Sequence, residues 1–168
     1  MDVYEAVTSR RAVRGFTDEP VSREVLERVL SAAAWSPSGS NIQPWNIYVM
    51  KGAPLAELKT LAAAIGNWKC FGAPAALFCY IDRDMGRPQW ADVGMYLQTV
   101  MLLLRAEGLH SCPQMAWSQV RETVAEFLSP PDGLILFCGM SIGYEDPTVS
   151  YARTGRAPLA ETVKFVAG

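Results

Sequence analysis

The sequence predicts an α+β protein, with a few strands covered by helices, in a single domain spanning residues 1–168. Segments with the helical spacing of apolar residues intermix along the chain with short apolar runs typical of buried strands. Half of the 168 residues are apolar and only 19% are charged. One domain of this length and composition can bury a substantial core.

Two helices are predicted near the start of the chain. Asp2 is placed to cap a short helix whose apolar side carries Val3, Ala6 and Val7. Ser22 is a good N-cap for a second helix. The apolar side of the second helix consists of Val25, Leu26, Val29, Leu30 and Ala33.

Apolar runs at three places predict strands, at residues 45–50, 75–81 and 134–138. A further helix is predicted over residues 54–65. Another begins with Ser118 as its N-cap and ends at residue 128, before a Pro-Pro-Asp-Gly turn. From residue 144 the pattern predicts irregular structure, followed by a short helix-capable segment at 159–165.

The longest predicted helix lies between Trp90 and Gly108, and it is apolar almost all round. Its apolar residues are Val93, Tyr96, Leu97, Val100, Met101, Leu103 and Leu104. Such a helix must be buried on most sides. Because a chain this short has few elements to cover it, we expect a second subunit to contribute.

The composition argues against several classes of partner. A net charge of −2 does not favour nucleic-acid binding. The apolar runs, such as residues 100–104, are too short to span a membrane, and the first residues show no signal-peptide pattern. The four cysteines have no paired spacing, which favours free thiols and a reducing cytoplasm. They are Cys70, Cys79, Cys112 and Cys138.

Three motifs suggest other chemistry, and each fails on context. The GMSIG run at 139–143 matches a hydrolase nucleophile elbow, but no helix follows it and His110 precedes it. His110 has no cysteine or carboxylate cluster beside it, so we expect a structural histidine and no metal site. The sequence also lacks a dinucleotide fingerprint and a Walker A loop.

Three separated segments could instead serve one phosphate-bearing ligand. Three arginines lie within residues 10–14, and each guanidinium can bind two phosphate oxygens at once. The alternative interpretation of this cluster is a solvated cationic end of a helix. The loop SPSGSNIQPW at 36–45 offers hydroxyls, backbone amides and carboxamides that can line a polyol chain and a planar heterocycle. The segment RTGRAPL at 153–159 supplies two more arginines, although alone it would be an exposed tail.

Together these segments resemble the flavin-dependent nitroreductase family over nearly the whole chain. The matching pieces are RRAVRGF at 10–16, AAWSPSGSNIQPW at 33–45, DVG at 92–94, AEGL at 106–109 and RAPL at 156–159. The resemblance implies a small, mostly antiparallel sheet flanked by helices, in an intertwined homodimer with FMN at the subunit interface.

The resemblance also implies roles for individual residues. Arg10, Arg11 and Arg156 would hold the FMN phosphate, supported by Ala12 and Arg153, and Arg14 would face the flavin pyrimidine side. The partner subunit would contribute the loop that carries Pro37, Ser38, Gly39, Asn41 and Gln43. The backbone near flavin N5 would come from Pro113, Gln114 and Met115. Asn67 and Lys69 lie close to positions of polar ring contacts, in a register that the sequence leaves open.

The implied activity is reduction of small electron-poor aromatics, such as nitroaromatics and quinones, by NADH or NADPH in a ping-pong mechanism. The flavin would carry the chemistry, so no catalytic side chain is expected. Alternatives are a reductive dehalogenase, a flavin-degrading enzyme or a non-catalytic flavin-binding protein. Two departures from the family are Ala12, where a serine is usual, and Thr154, where a lysine is frequent. The chain is also short for the family between Lys51 and Cys70 and after Asp84, in regions that roof the substrate pocket.

Overall fold

The fold is built on one antiparallel sheet. A computed structural model describes residues 1–65 and 69–166, with side chains for all of these except 63–65. Within this part of the chain, four strands pair in the order β1–β2–β4–β3, and each neighbouring pair is antiparallel. The strands are β1 (Asn46–Lys51), β2 (Ala75–Asp82), β3 (His110–Gln114) and β4 (Leu134–Gly143). The predicted α+β class with an antiparallel sheet is confirmed.

Helices cover both faces of the sheet. They are α1 (Val3–Ser9), α2 (Arg23–Ala33), α3 (Gly52–Ile65), α4 (Arg87–Ala106), α5 (Arg121–Leu128) and α6 (Leu159–Thr162). The two predicted caps are confirmed: Asp2 accepts a hydrogen bond from the Glu5 amide at 2.8 Å, and the Ser22 hydroxyl accepts one from the Val25 amide at 3.2 Å. These bonds satisfy amides that the first helical turn leaves without intrahelical partners.

Strand β2 lies at the centre of the core because both of its faces are buried. Leu77, Cys79 and Ile81 face the cluster that includes α2 and α4, whereas Phe78 and Tyr80 face the cluster that includes α3 and α5. Alternate side chains of a strand point to opposite faces, so β2 divides the core in two. This explains why the strand is apolar from Ala75 to Ile81 and does not alternate between apolar and polar residues.

Helix α4 is buried mainly by its own chain. Val93, Tyr96, Val100 and Leu104 are almost inaccessible to solvent, in the cluster shared with α2 and the sheet. The helix is buried on most sides, as predicted, but the expectation that a second subunit covers it was wrong for these residues. Met95 remains 42% exposed. Among the described residues, none of the helices combines the length and the apolar character needed to cross a membrane.

Two boundaries near β3 differ from the sequence prediction. The polar segment His110–Gln114 forms a strand that the pattern did not predict. Ser118 does not cap a helix: it lies in a 3₁₀ segment, Met115–Val120, and donates its hydroxyl to the Met115 carbonyl at 2.8 Å. Helix α5 begins only after this segment.

All four cysteines are buried free thiols, as predicted for the two in strands. Burial raises the pKa of Cys70 to about 11 and that of Cys138 to about 12. It also raises the pKa of Cys112, although Arg14 nearby opposes the shift. Thiols with raised pKa values are weak nucleophiles at neutral pH. They therefore serve as small apolar groups in the core.

Gly139 should tolerate no side chain, because Trp117 packs directly on it. A Cβ atom built at Gly139 would lie 2.5 Å from Trp117 Cδ1, well inside van der Waals contact. We expect Gly139→Ala to lower the free energy of unfolding by about 1–3 kcal/mol, measured by denaturant titration. Gly86→Ala is the control, since its Cβ would meet nothing closer than 3.5 Å. Equal stability of the Gly139 variant and the wild type would contradict this packing.

Candidate functional site

The first arginine segment follows α1 and is fixed along the free edge of β3. Ala12 pairs with Ser111 in a parallel bridge, and the Val13 amide donates to the Ser111 carbonyl at 3.2 Å. The Val13 side chain is fully buried in the core. This anchor leaves Arg10, Arg11 and Arg14 on the outer side of the segment, partly or fully exposed.

The segment after β4 runs beside the first arginine segment. Phe16 pairs with Glu145 in an antiparallel bridge, and the Asp146 amide donates to the Gly15 carbonyl at 3.0 Å. Gly15 permits this close approach, because a Cβ there would lie 2.6 Å from the Val149 Cβ. The two ends of the chain are thus held together by backbone pairing.

A cavity of about 490 Å³ lies between these two ends. Five arginines line it: Arg10, Arg11, Arg14, Arg153 and Arg156. The other lining residues are Val7, Thr8, Ala12, Gln98, Tyr151, Ala152 and Thr154. Within the described part of the chain, no acidic side chain lines the cavity. On a protein with a net charge of −2, this is a local cationic site suited to an anion.

Arg11 is less available to a ligand than its neighbours. Its Nη2 atom donates to both carboxylate oxygens of Glu145, at 2.5 and 2.7 Å. The Tyr151 hydroxyl donates to the same carboxylate at 2.6 Å. Burial alone would raise the pKa of Glu145, but the hydrogen bonds from Tyr151 and Arg11 outweigh it and hold the pKa below its ordinary value. Glu145 is therefore charged at neutral pH and offsets one arginine of the cavity.

His110 is half-buried and belongs to the same polar network. Arg105 Nη1 lies 3.0 Å from His110 Nε2, and because an arginine can only donate, Nε2 must accept. The ring is then neutral with its proton on Nδ1, and the 3.4 Å approach of Nε2 to Glu145 is not an ion pair. Burial, followed by the charge of Arg105, lowers the pKa of His110. A structural histidine, as the sequence predicted, accounts for these contacts.

The loop at residues 36–45 lies apart from this cavity on the same chain. Pro37, Gly39, Asn41 and Gln43 are exposed, Ser38 is partly exposed, and none of them lines the cavity. Buried Asp92 on α4 accepts a hydrogen bond from the Gly39 amide at 3.1 Å, and the Ser38 hydroxyl accepts one from the Gln43 amide at 3.0 Å. An exposed loop held in one conformation is suited to contact another molecule.

This loop also has an unusual backbone. Ser40, Asn41 and Gln43 have φ angles of 53°, 55° and 52°, in the left-handed region that favours glycine. Strain of this kind persists only where surrounding contacts impose it, and it is concentrated at functional sites.

The predicted N5 segment lies at the end of β3, beside the arginine segment. Pro113 and Met115 are exposed, and Gln114 is half-buried. The Gln114 side-chain oxygen accepts a hydrogen bond from the Ser141 hydroxyl at 2.5 Å. Ser141 is fully buried inside β4, so the GMSIG run is strand interior and not an exposed nucleophile elbow.

Other positions singled out in the sequence fall elsewhere. Lys69 is exposed and does not line the cavity, and Asn67 lies outside the described residues. The described residues contain no group of three His, Cys, Asp or Glu side chains placed to hold a metal ion.

Sequence reasoning missed three residues of the site, Glu145, Tyr151 and Gln98. It noted Asp92 in the matching DVG piece but gave it no role. The contact between Arg11 and Glu145 joins positions 134 residues apart, so no local spacing signals it. The sequence does indicate a role for Asp92, because it is a carboxylate within an otherwise apolar helix. A buried carboxylate usually has a specific partner.

Comparison with known proteins identifies the family. The model of the nitroreductase family matches residues 7–69 and 63–144. The 4-nitrobenzoate reductase of Pseudomonas putida is 31% identical, with 92% of this chain and 91% of the relative covered. The solved structure of the FMN and NADPH-dependent nitroreductase NfnB from Sphigopyxis sp. strain HMH superposes with a TM-score of 0.94 at 33% identity, covering 99% of this chain and 100% of that one. This chain belongs to the nitroreductase family.

A second solved structure agrees with this assignment. NfnB from Mycobacterium smegmatis, in complex with NADPH, has a TM-score of 0.90 at 28% identity and covers 98% of this chain and 97% of its own. The alignment with the P. putida reductase spans 207 positions, more than the 168 residues of this chain. The relative therefore contains residues that this chain lacks.

We predict that His110 titrates below its ordinary pKa of about 6.5. A lowered pKa in the folded state means that stability is complete above the unfolded pKa and is lost as the pH falls through the folded pKa. Because His110 is the only histidine, its ring proton resonances can be followed by NMR without assignment. Arg105→Gln should raise the midpoint, since it removes a neighbouring cation. A wild-type midpoint at or above 6.5 would show that this environment is wrong.

Proposed function

We propose that this protein is an FMN-dependent NAD(P)H oxidoreductase that reduces the nitro groups of small aromatic molecules. The observation that carries the proposal is the cavity in which arginines from both ends of the chain meet. The names of its relatives support it: a 4-nitrobenzoate reductase and a nitrobenzene nitroreductase among curated proteins, and FMN and NADPH-dependent NfnB among solved structures.

The residues present fit the phosphate of FMN. A phosphomonoester carries close to two negative charges at neutral pH, and guanidiniums are its best protein ligands. Arg10 and Arg156 would provide the main contacts, because neither is paired with an acidic group among the described residues. Arg11 would contribute through the side of its guanidinium that Glu145 leaves free, and its Nε atom is buried without a described partner.

The two departures from the family weaken this site only modestly. Ala12 offers no hydroxyl, and Thr154 offers no charge. Each change would remove one hydrogen bond, worth on the order of 1 kcal/mol. Arg153 lies on the same lining and supplies a cation beside Thr154.

The ring of FMN would lie toward the end of β3. Arg14 contacts Cys112 on this strand, one residue before the segment of Pro113, Gln114 and Met115. Arg14 would thus place a fixed cation on the pyrimidine side, where it stabilises negative charge. The Gln114 side chain is already oriented by Ser141.

Bound FMN would supply the redox chemistry, by accepting hydride from NADH or NADPH and passing electrons to an electron-poor aromatic. The chain itself would bind the phosphate, orient the ring and hold a cation beside it. Since donor and acceptor would stack on the same ring face, they would bind in turn, which is a ping-pong order. Quinones are flat and electron-poor, so we include them among the acceptors.

We further propose that the protein is one domain that works as a homodimer, with the loop at residues 37–43 closing the flavin site of the other subunit. Several large apolar side chains support this, because a single chain leaves them in solvent. Trp35 beside the loop is 91% exposed, and Tyr4 on α1 is 85% exposed. Others are Val3, Val7, Ile42, Met95, Met115, Leu159 and Phe165. Exposed apolar side chains of this size are expected where a second subunit binds.

The phosphate assignment is tested by removing one arginine from each end. We expect Arg10→Ala/Arg156→Ala to weaken FMN binding by at least about 100-fold, since each charged hydrogen bond contributes about 1.5–3 kcal/mol. Binding of riboflavin, which lacks the phosphate, should change less than about twofold. Arg23→Ala is the control, because Arg23 pairs with Glu27 on α2, away from the cavity. Unchanged FMN affinity in the double variant would reject the assignment.

The activity is tested by turnover. The yellow, FMN-loaded protein should oxidise NADPH or NADH rapidly only when a nitroaromatic is present, with parallel lines in double-reciprocal plots. Turnover limited to halogenated aromatics would favour the dehalogenase alternative, and loss of the bound flavin itself would favour the flavin-degrading one. A yellow protein without turnover on any acceptor would leave only the flavin-binding alternative.

A further inference from the structure

The C-terminal segment that brings Arg153 and Arg156 to the cavity has few anchors of its own. Residues 152–158 are all exposed and have no regular secondary structure. Arg153 donates to the carbonyl of Thr8. The described hydrogen bonds of Arg156 reach only Thr154 and Gly155, its immediate neighbours in the chain. Some other contact must hold this segment over the cavity.

Tyr151 provides such a contact, at the start of the exposed stretch. Its hydroxyl donates to Glu145 Oε1 at 2.6 Å, and its ring centroid lies 5.7 Å from Arg11 Cζ. At that distance the guanidinium and the ring attract one another. Tyr151 therefore connects the exposed C-terminal stretch to Glu145 and to Arg11.

Glu145 is the fixed side of the same contact. It pairs with Phe16 across a bridge, and the flanking backbone is held by the bond from the Thr17 amide to the Tyr144 carbonyl at 3.0 Å. Its side chain is only 17% exposed and is also bonded to Arg11. A carboxylate whose position is fixed in this way can orient the side chain that donates a hydrogen bond to it, here Tyr151.

Electrostatic repulsion opposes the approach of the two arginine segments. The arginines of residues 153–156 carry the same charge as Arg10, Arg11 and Arg14, so the two segments repel one another when no anion lies between them. Glu145 is the acidic residue that the described contacts place between them, and Tyr151 attaches the C-terminal segment to it.

We propose that the hydrogen bond from Tyr151 to Glu145 is a clasp that positions Arg153 and Arg156 across the cavity before the ligand binds. Tyr151 and Glu145 are thus positioning residues for the phosphate site. This inference rests on the proposed function. A site organised in advance binds more tightly, because binding need not order the segment.

Tyr151→Phe tests the clasp, since it removes only the hydroxyl. Trypsin cleavage after Arg153 and Arg156, followed by mass spectrometry on the purified full-length chain, should become about fivefold faster, because a released segment is cut more readily. The affinity for FMN relative to riboflavin should fall by about fivefold, the loss of one hydrogen bond. Tyr48→Phe is the matched control: Tyr48 lies on β1 against Tyr80, and neither quantity should change.

A double-mutant cycle shows whether Tyr151 acts through the arginines. In an Arg153→Ala/Arg156→Ala background, Tyr151→Phe should alter the FMN-to-riboflavin ratio by less than about twofold. An unchanged cleavage rate in Tyr151→Phe overturns the clasp. Faster cleavage with an unchanged affinity ratio, or an affinity effect that persists in the arginine-free background, overturns the role of the clasp at the phosphate site. Failure of the proposed function is seen separately, as FMN affinity that survives Arg10→Ala/Arg156→Ala.

Discussion

The site depends on the gathering of five guanidinium groups, from two ends of one chain, around a single cavity. Two unit charges about 8 Å apart repel by roughly 0.5–2 kcal/mol, depending on how far water screens them. Backbone pairing of residues 15–17 with residues 144–146 keeps the two ends together in spite of this repulsion. Glu145 offsets one of these charges, and a bound dianion would offset about two more. The fold therefore creates a cavity with an excess of positive charge. An anionic ligand bound there would stabilise the folded protein.

Much of the fold could be predicted from local sequence. Ser22 and the spacing of Leu26, Val29 and Ala33 defined α2 to within a residue, and the uninterrupted apolar run of β2 marked the buried centre of the sheet. Strand β3 could not be predicted, because Pro113 and its polar neighbours argue against a strand. The structure shows why they are tolerated: β3 is at the edge of the sheet, where proline need not donate to a second neighbour.

The sequence predicted the arginines that line the site, but not the contacts that they make. Guanidiniums at Arg10, Arg14 and Arg156 could be assigned to one ligand through the family resemblance, and the structure places them on one cavity. The bond between Arg11 and Glu145 could not be foreseen, because it depends on how distant segments fold together. It changes the interpretation of Arg11 from a free phosphate ligand to a residue that, in the proposed complex, would be shared between the phosphate and a partly buried carboxylate.

The most direct test of this account is a crystal structure of the FMN-loaded protein. We predict that the phosphate accepts hydrogen bonds from Arg10 and Arg156 of one protomer, while the loop at residues 37–43 of a second protomer lies over the ring. A phosphate bound away from these arginines, or arginines of the two segments that point apart with no anion between them, would contradict the account.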